Sequence, residues 1–383
     1  MAILACGLLT FSACSNDDAF NEDETNVTAG ETRNVELTFN FSVNSGEQTR
    51  GGRPLYSSEA LQQVKAMKVY VFKKEADGDE YVYSKEITDN GNFGFNNSSA
   101  QGTESHSYTL TDKLLDGTYK FLAVGYEDGY TTTFKALNMQ NTTKLSELLL
   151  ELNNGQNADE VFSGVSDAVT VSATSTSFNV GVELHRVVAG ILGYFKNVPF
   201  EIEYGGNMVQ VKHVLVNVIK KGTSAKLADR TAKGVDGSKY TIIDINMNGY
   251  SQDGDNNWYA VPAKAGEVAT VANSVLKGAY SLPIAAVGSS NTLEVVLTGD
   301  DKSTALKKFT VKDANSYDFA INANHFYSLG QKKTDDDTNG GNPDPDTDPD
   351  DNDDPIDLSK DQIITITVNA AWSLIHDLTI EEL

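Results

Sequence analysis

The sequence contains two thiols, Cys6 and Cys14, and both lie close to its first residue. A cysteine thiol can be acylated, can form a disulfide, and as the thiolate can bind a metal or act as a nucleophile. Because no cysteine follows Cys14 in the 383 residues, the remainder of the chain offers no thiol for any of these reactions. Cysteine chemistry is therefore confined to the N-terminal segment.

The apolar run of residues 2–11 leads into Ser12, Ala13 and Cys14. The run is too short to cross a bilayer as a helix, and it is typical of the apolar region of a signal peptide. The small residues before the cysteine resemble a lipobox, in which the cysteine is acylated and becomes the new N-terminus. We therefore predict lipidation of Cys14. An ordinary secretory signal that contains a cysteine is the alternative.

Patterns for catalysis or cofactor binding are missing from the rest of the sequence. The five histidines are scattered without metal-ligand spacing, and no Gly-rich phosphate loop or nucleophile elbow occurs. We therefore predict no enzyme activity, no cofactor and no metal site, although the abundant carboxylates leave a glycosidase pair open. The formal net charge of −24 argues against a nucleic-acid partner, because phosphate binding needs a basic face.

An alternating segment follows the acidic tether that extends to residue 32. Over residues 34–43, apolar and polar side chains alternate, which predicts a half-buried β-strand. The next residues, 44–54, are rich in Gly and small polar side chains and contain Arg50 followed by Gly51; proteases cut such loops. We predict cleavage after Arg50, which would free the strand and leave a groove. The apolar positions of this removable strand are Val35, Leu37, Phe39, Phe41 and Val43.

Further short alternating segments, separated by polar turns, extend from residue 64 to residue 329. This pattern is typical of β-sandwiches and barrels, so we predict an all-β fold with minor helices and two sandwich-like domains in tandem. Leu145, Leu148, Leu149 and Leu152 recur at helical spacing. They predict one short helix over residues 143–152.

The acidic segment of residues 334–360 breaks the strand pattern with Asp and Pro. We predict an extended linker here that reaches at most roughly 90 Å, with a calcium site as the alternative. Alternation returns over residues 364–374, and a single strand must dock on a sheet to be stable. It suits the same kind of groove as residues 35–43, in its own chain or in a neighbour. Its apolar positions are Ile364, Ile366, Val368, Ala370, Trp372 and Leu374.

Three stretches, residues 34–51, 182–189 and 322–330, resemble the fimbrillin, or type V pilin, family. They are similar to its pro-strand with an arginine junction, the start of its second domain and its final body strand. The resemblance implies an outer-membrane lipoprotein precursor that an Arg-specific protease trims. It also implies head-to-tail polymerisation with copies of itself, by donor-strand exchange, into adhesive cell-surface fimbriae. Accessory pilus subunits are the other implied partners.

These observations divide the chain into six expected segments. They are a signal peptide (1–13), a lipidated pro-segment with the removable strand (14–50), an N-terminal β domain (51–185), a C-terminal β domain (186–333), the acidic linker (334–360) and the donor strand (361–383). A surface lipoprotein that binds glycans without polymerising is the alternative function, because aromatic rings stack on sugars. Its candidate residues are Trp258, Tyr259 and Tyr250.

Overall fold

The computed structural model describes residues 31–43, 64, 66–76, 78–87, 105–126, 130–259, 270–286, 288, 291–331 and 353–370. Strands form nearly all of the regular structure of these residues, which also contain the four-residue helix α1 (Tyr130–Thr133) and the 3-10 turn Leu145–Glu147. The first strands along the chain are β1 (Thr32–Val43), β2 (Ala66–Lys74), β3 (Tyr81–Ile87), β4 (Ser105–Leu115), β5 (Gly117–Tyr126), β6 (Leu149–Glu151), β7 (Val161–Val165), β8 (Val169–Val171) and β9 (Ser177–Arg186).

The strands of the second half follow from residue 189 onwards. They are β10 (Ala189–Lys196), β11 (Glu201–Tyr204), β12 (Asn207–Gln210), β13 (His213–Val218), β14 (Lys221–Lys226), β15 (Ala232–Asp236), β16 (Tyr240–Asn246), β17 (Ser251–Gln252), β18 (Trp258–Tyr259), β19 (Ser274–Ser281), β20 (Leu293–Thr298), β21 (Ala305–Lys312) and β22 (Phe326–Leu329). The C-terminal segment adds β23 (Ile356–Asp357), β24 (Ile364–Thr365) and β25 (Thr367–Asn369).

The first half of the chain forms a sheet of eight strands. Their order is β3-β2-β5-β7-β9-β1-β4, and β8 lies beside β5. All pairs are antiparallel except β1 with β9, which are parallel. The first strand that the structure describes thus occupies an interior position, between two strands that come much later in the sequence.

This sheet curls over its own core. Although β7 and β9 separate β1 from β5 in the sheet, the ring of Phe39 on β1 meets the ring of Phe121 on β5 edge to face, with centroids 5.2 Å apart. The core inside the curl takes side chains from β1, β2, β4, β5 and β9. Its fully buried members include Val35, Leu37, Val69, Val71 and Leu184.

The second half is a sandwich of two sheets. One has the order β19-β10-β22-β25 with β23 beside β10, and the other has the order β16-β13-β20-β21-β24. Alternate residues of both sheets meet in one buried core, which includes Ile191, Phe195, Val216, Leu297 and Tyr327. The all-β fold predicted from the sequence is confirmed by these sheets.

A third buried cluster connects the two halves. It joins Tyr70 and Leu122, on the first sheet, to Leu192 and Phe326, on the second sandwich. Val187 and Val188, which link β9 to β10, are fully buried in the same cluster. The chain therefore passes from one sheet system to the other through an apolar connection.

The end of β9 carries a buried ion pair. Arg186 is 1% exposed, and its Nε donates a hydrogen bond of 2.6 Å to Oε1 of Glu160. Its guanidinium also lies over the ring of Phe162, 5.3 Å from the centroid. Burial raises the pKa of the Glu160 carboxyl, and Arg186 opposes this shift. Arg186 ends β9, and Glu160 directly precedes β7. The ion pair therefore holds the end of β9 to the start of the neighbouring strand β7.

The helix predicted over residues 143–152 is wrong. The segment contains the 3-10 turn and the strand β6, which pairs with β14. Leu148, Leu150 and Leu152 are all buried, which is a period of two, whereas Leu149 is only half-buried. Alternate burial between two sheets has overridden the helical spacing of the leucines.

Candidate functional site

The position of β1 forms the candidate site, and we call the space that it fills between β4 and β9 the β1 slot. Antiparallel pairing with β4 extends from Thr32 opposite Leu115 to Ser42 opposite Ser105. Parallel pairing with β9 extends from residue 36 to residue 43. Both edges of the strand are therefore hydrogen-bonded, and removing β1 would expose an unpaired edge on each wall.

One face of β1 fills the core of the first sheet. Val35, Leu37, Phe39 and Phe41 have no exposed surface, as their alternation in the sequence predicts for an inward face. The rings of Phe39 and Phe41 stack with centroids 5.4 Å apart. The side chain of Val43 lies outside the described part of the structure. The slot thus accepts a row of large apolar side chains at every second position.

Polar contacts fix the register of β1 in the slot. The guanidinium of Arg33 donates two hydrogen bonds to the carboxylate of Asp116, of 3.0 and 3.2 Å. These bonds lower the pKa of the Asp116 carboxyl and raise that of Arg33. On the outer face, the hydroxyls of Thr38 and Thr109 are 2.9 Å apart. The pairing of Arg33 with Asp116 could not be predicted from the sequence, because 83 positions separate the two residues and no local pattern links them.

Several of the predicted site residues lie outside the part of the chain that the structure describes. They include the lipidation site, both residues of the cleavage junction and the end of the predicted donor strand. These residues are Cys14, Arg50, Gly51, Trp372 and Leu374. Lipidation and cleavage therefore stay predictions.

The first part of the predicted donor strand packs against the second sandwich of its own chain. Ile364 and Ile366 are 2% and 3% exposed and belong to the sandwich core. Strand β24 pairs in parallel with the end of β21, and β25 pairs antiparallel with β22. Val368 is 39% exposed, and Ala370 is also exposed. The two inner isoleucines therefore hold this segment on the sandwich, whereas Val368 and Ala370 are not part of its core.

Part of the segment predicted as an extended linker is packed against the body. Leu358 has no exposed surface, and Ile356 on β23 pairs with Phe195 on β10. The hydroxyl of Tyr194 donates a 2.9 Å hydrogen bond to the Asp353 carboxylate. The apolar side chains at alternate positions 356 and 358 explain the difference, because they enter the core despite the acidic composition. Residues 334–352 lie outside the described part.

Trp258, the first aromatic candidate for glycan binding, lies in the core of the second sandwich. Trp258 is 5% exposed, and its Nε1 donates a 2.8 Å hydrogen bond to the carbonyl of Val211. Its ring packs against Phe200, with centroids 4.7 Å apart. A ring in this position offers no face for a sugar. Tyr250 is half-buried, and the side chain of Tyr259 lies outside the described part.

Features of other kinds of site are also missing where the structure describes the chain. No group of three or more His, Cys, Asp or Glu side chains there is placed to hold a metal ion. Within the same residues, no helix has the length and apolar character needed to cross a membrane.

The sequence profile of the fimbrillin-A associated anchor proteins Mfa1 and Mfa2 matches residues 22–376. The chain belongs to this family. Membership in the fimbrillin-A associated anchor family confirms the resemblance to fimbrillins, and it assigns the chain to the fimbrial proteins of the cell surface. No curated protein matches the sequence.

Solved structures of other fimbrial proteins are similar to this member of the family. The fimbrial anchor protein Mfa2 of Porphyromonas gingivalis is 10% identical, with a TM-score of 0.41 over 88% of this chain and 98% of its own. The C-terminally truncated tip protein Mfa3 of the same organism is 13% identical, with a TM-score of 0.37 over 79% and 95%. A fimbrial assembly protein of Parabacteroides distasonis is 13% identical, with a TM-score of 0.37 over 79% and 93%.

Proposed function

We propose that this chain is a subunit of a cell-surface fimbrium that joins its neighbours by exchanging β1 for a donor strand. The observation that carries the proposal is β1 itself, which is paired on both edges and buried along one face. An extended segment with the same alternation can replace such a strand, since the hydrogen bonds come from the main chain. Other fimbrial subunits would be the further partners of the polymer.

Cleavage supplies the step that makes β1 replaceable. Residues 44–65, which connect β1 to the body, contain Arg50. Once an Arg-specific protease has cut after Arg50, only non-covalent contacts hold β1 in the slot. Lipidated Cys14 lies on the same side of this cut as β1, so the lipid and the strand leave the body together.

The C-terminal segment is the proposed donor. Among its described residues, it pairs on its own chain through β24 and β25, which have two and three residues, whereas β1 has twelve. Each side chain that becomes fully buried contributes roughly 1.5–3 kcal/mol before the cost of ordering the strand. Val368 is partly exposed on its own chain and would gain burial in a slot built for alternate apolar side chains. Pairing along the whole β1 slot of a neighbouring subunit is longer than the pairing of β24 and β25 on their own chain. The longer pairing therefore favours docking of the donor strand in the neighbour.

A second candidate is a base subunit that keeps β1 and stays anchored by its lipid. The observation that favours it is the seating of Leu358, Ile364 and Ile366 in the chain's own core. A subunit with both ends occupied has no donor to offer and no open slot. Mature protein that retains residues 35–43 would identify this role.

The experiment that tests exchange places one cysteine on the slot wall and one on the donor. Thr109 on β4 and Thr367 on β25 are both exposed and lie at outward positions of their strands. In fimbriae made from the Thr109→Cys, Thr367→Cys variant, we expect disulfide-linked ladders on a non-reducing gel. Val235→Cys with Thr367→Cys is the control, because Val235 is exposed on β15, outside the first sheet.

Each outcome of the crosslinking separates the two candidates. Ladders in the test variant and none in the control support exchange. Monomers without crosslinks, from mature protein that still contains residues 35–43, support the base subunit. A ladder of equal strength in both variants would show non-specific oxidation and would count against the slot as the acceptor.

A further inference from the structure

Three reactive side chains meet on one face of the second sandwich. Asn217 on β13 lies directly opposite Thr241 on β16 and Glu294 on β20. Lys239 is two positions before Thr241, so its side chain leaves the chain on the same face. An amine, a carboxamide and a carboxylate are thus brought together by the pairing of three strands.

The hydrogen bonds order these groups around Asn217. Oε1 of Glu294 accepts a 3.1 Å hydrogen bond from Nδ2 of Asn217 and also forms the ion pair with Nζ of Lys239. Oγ1 of Thr241 donates a 2.7 Å hydrogen bond to Oδ1 of Asn217. Asn217 is 1% exposed, and the side chain of Glu294 is 14% exposed. One carboxylate oxygen therefore contacts both the amine and the amide nitrogen.

These contacts place the groups as the attack of an amine on an amide requires. The amine must lose a proton, the carbonyl oxygen must be stabilised as it gains charge, and the leaving nitrogen must gain a proton. The carboxylate of Glu294 lies between the nitrogen that loses protons and the nitrogen that gains them. The hydroxyl of Thr241 contacts the oxygen on which charge develops.

We infer that Lys239 and Asn217 become joined by an isopeptide bond, with Glu294 as the proton carrier. Glu294 takes a proton from the Lys239 ammonium, and the neutral Nζ attacks Cγ of Asn217. The new Nζ–Cγ bond forms, the Cγ–Nδ2 bond breaks, and Nδ2 departs as ammonia. Of the two protons that Nζ loses, one completes the ammonia and the other converts it to ammonium, which restores the Glu294 carboxylate. The reaction requires no oxidant and no further reactant.

The bond would connect β13 covalently to the start of β16. It would close a loop over residues 217–239, which includes β14 and β15. Such a link restricts the unfolded chain, as a disulfide does, in a protein whose folded part has no cysteine. The reaction does not depend on strand exchange, so either outcome of the crosslinking experiment leaves it open to its own test.

Peptide mapping of the purified full chain tests the inference directly. Trypsin would release residues 213–220 and 234–239 separately from an unlinked chain. In the linked chain, modified Lys239 resists trypsin. We therefore expect residues 213–220 joined to residues 234–264, at the mass of the two peptides less one ammonia. Separate 213–220 and 234–239 peptides from the folded wild-type chain would overturn the inference.

Variants identify the residues that act. Lys239→Arg and Glu294→Gln should both lose the joined peptide completely, with circular dichroism to confirm that each variant folds. Lys302→Arg is the matched control, because Lys302 pairs with Asp244 on the neighbouring part of the same sheet. It should retain the joined peptide in full. A joined peptide that persists in Glu294→Gln would reject Glu294 as the proton carrier.

Discussion

At the scale of single residues, Phe39 packs β1 into the core of the first sheet. It is fully buried and contacts both Phe41 and Phe121. We expect Phe39→Ala to lower the free energy of unfolding by about 3–5 kcal/mol, because the change removes buried surface and leaves a cavity. Urea denaturation of the uncleaved chain measures this loss.

The control for this prediction is the adjacent residue of the same strand. Asn40 is exposed, so Asn40→Ala should change the free energy of unfolding by less than about 0.5 kcal/mol. Equal losses in the two variants would mean that β1 does not contribute its inward face to the folded state. In cleaved protein, Phe39→Ala should also release β1 faster than Asn40→Ala does.

At the scale of elements, two adjacent isoleucines at the start of β24 differ sharply in burial. Ile363 is 52% exposed, and Ile364 is 2% exposed in the core of the second sandwich. Ile364→Ala should therefore destabilise the chain by about 2–5 kcal/mol, and Ile363→Ala by less than about 0.5 kcal/mol. Thermal and urea unfolding of the full chain measure both. Wild-type stability in Ile364→Ala would show that the segment does not rest on its own sandwich in solution.

Elements also show how far the sequence alone could lead. The alternation over residues 34–43 predicted both β1 and its inward face, because a strand with one buried face repeats every two residues. The leucines of residues 143–152 fit both the spacing of a helix and the alternation of a strand. Tertiary packing determines which of the two forms. The neighbours of β1, the burial of Ile364 in the second sandwich and the contacts of Lys239 and Asn217 with Glu294 depend on pairing between distant strands. No local pattern encodes such pairing.

At the scale of the whole molecule, the proposed cleavage and the proposed lipid attachment can be tested separately. If Cys14 carries the lipid, a chain cut after Arg50 should stay in the membrane fraction, because β1 still holds the body. We expect urea to release the body while the lipidated peptide remains with the membrane. Fractionation before and after urea, with immunoblots for the body, measures this.

Two variants complete the fractionation experiment. Cys14→Ser should leave the body soluble with or without urea, since no lipid is attached. Arg50→Ala should keep the body in the membrane fraction even in urea, because β1 and the body stay one chain. Release of the cut wild-type body without urea would show that β1 leaves the slot unaided.

The mixed pairing of β1 has a mechanical consequence. The hydrogen-bond ladders that join β1 to β4 and to β9 both extend along the length of β1. Tension on the N-terminal end of β1 therefore acts along these ladders. In this direction the hydrogen bonds of both ladders are loaded in shear and must fail together, whereas a strand pulled sideways loses them one at a time. Forced separation follows the rate of unfolding rather than the equilibrium stability. A subunit tethered through β1 would therefore resist brief pulling forces that its equilibrium binding energy alone would not predict.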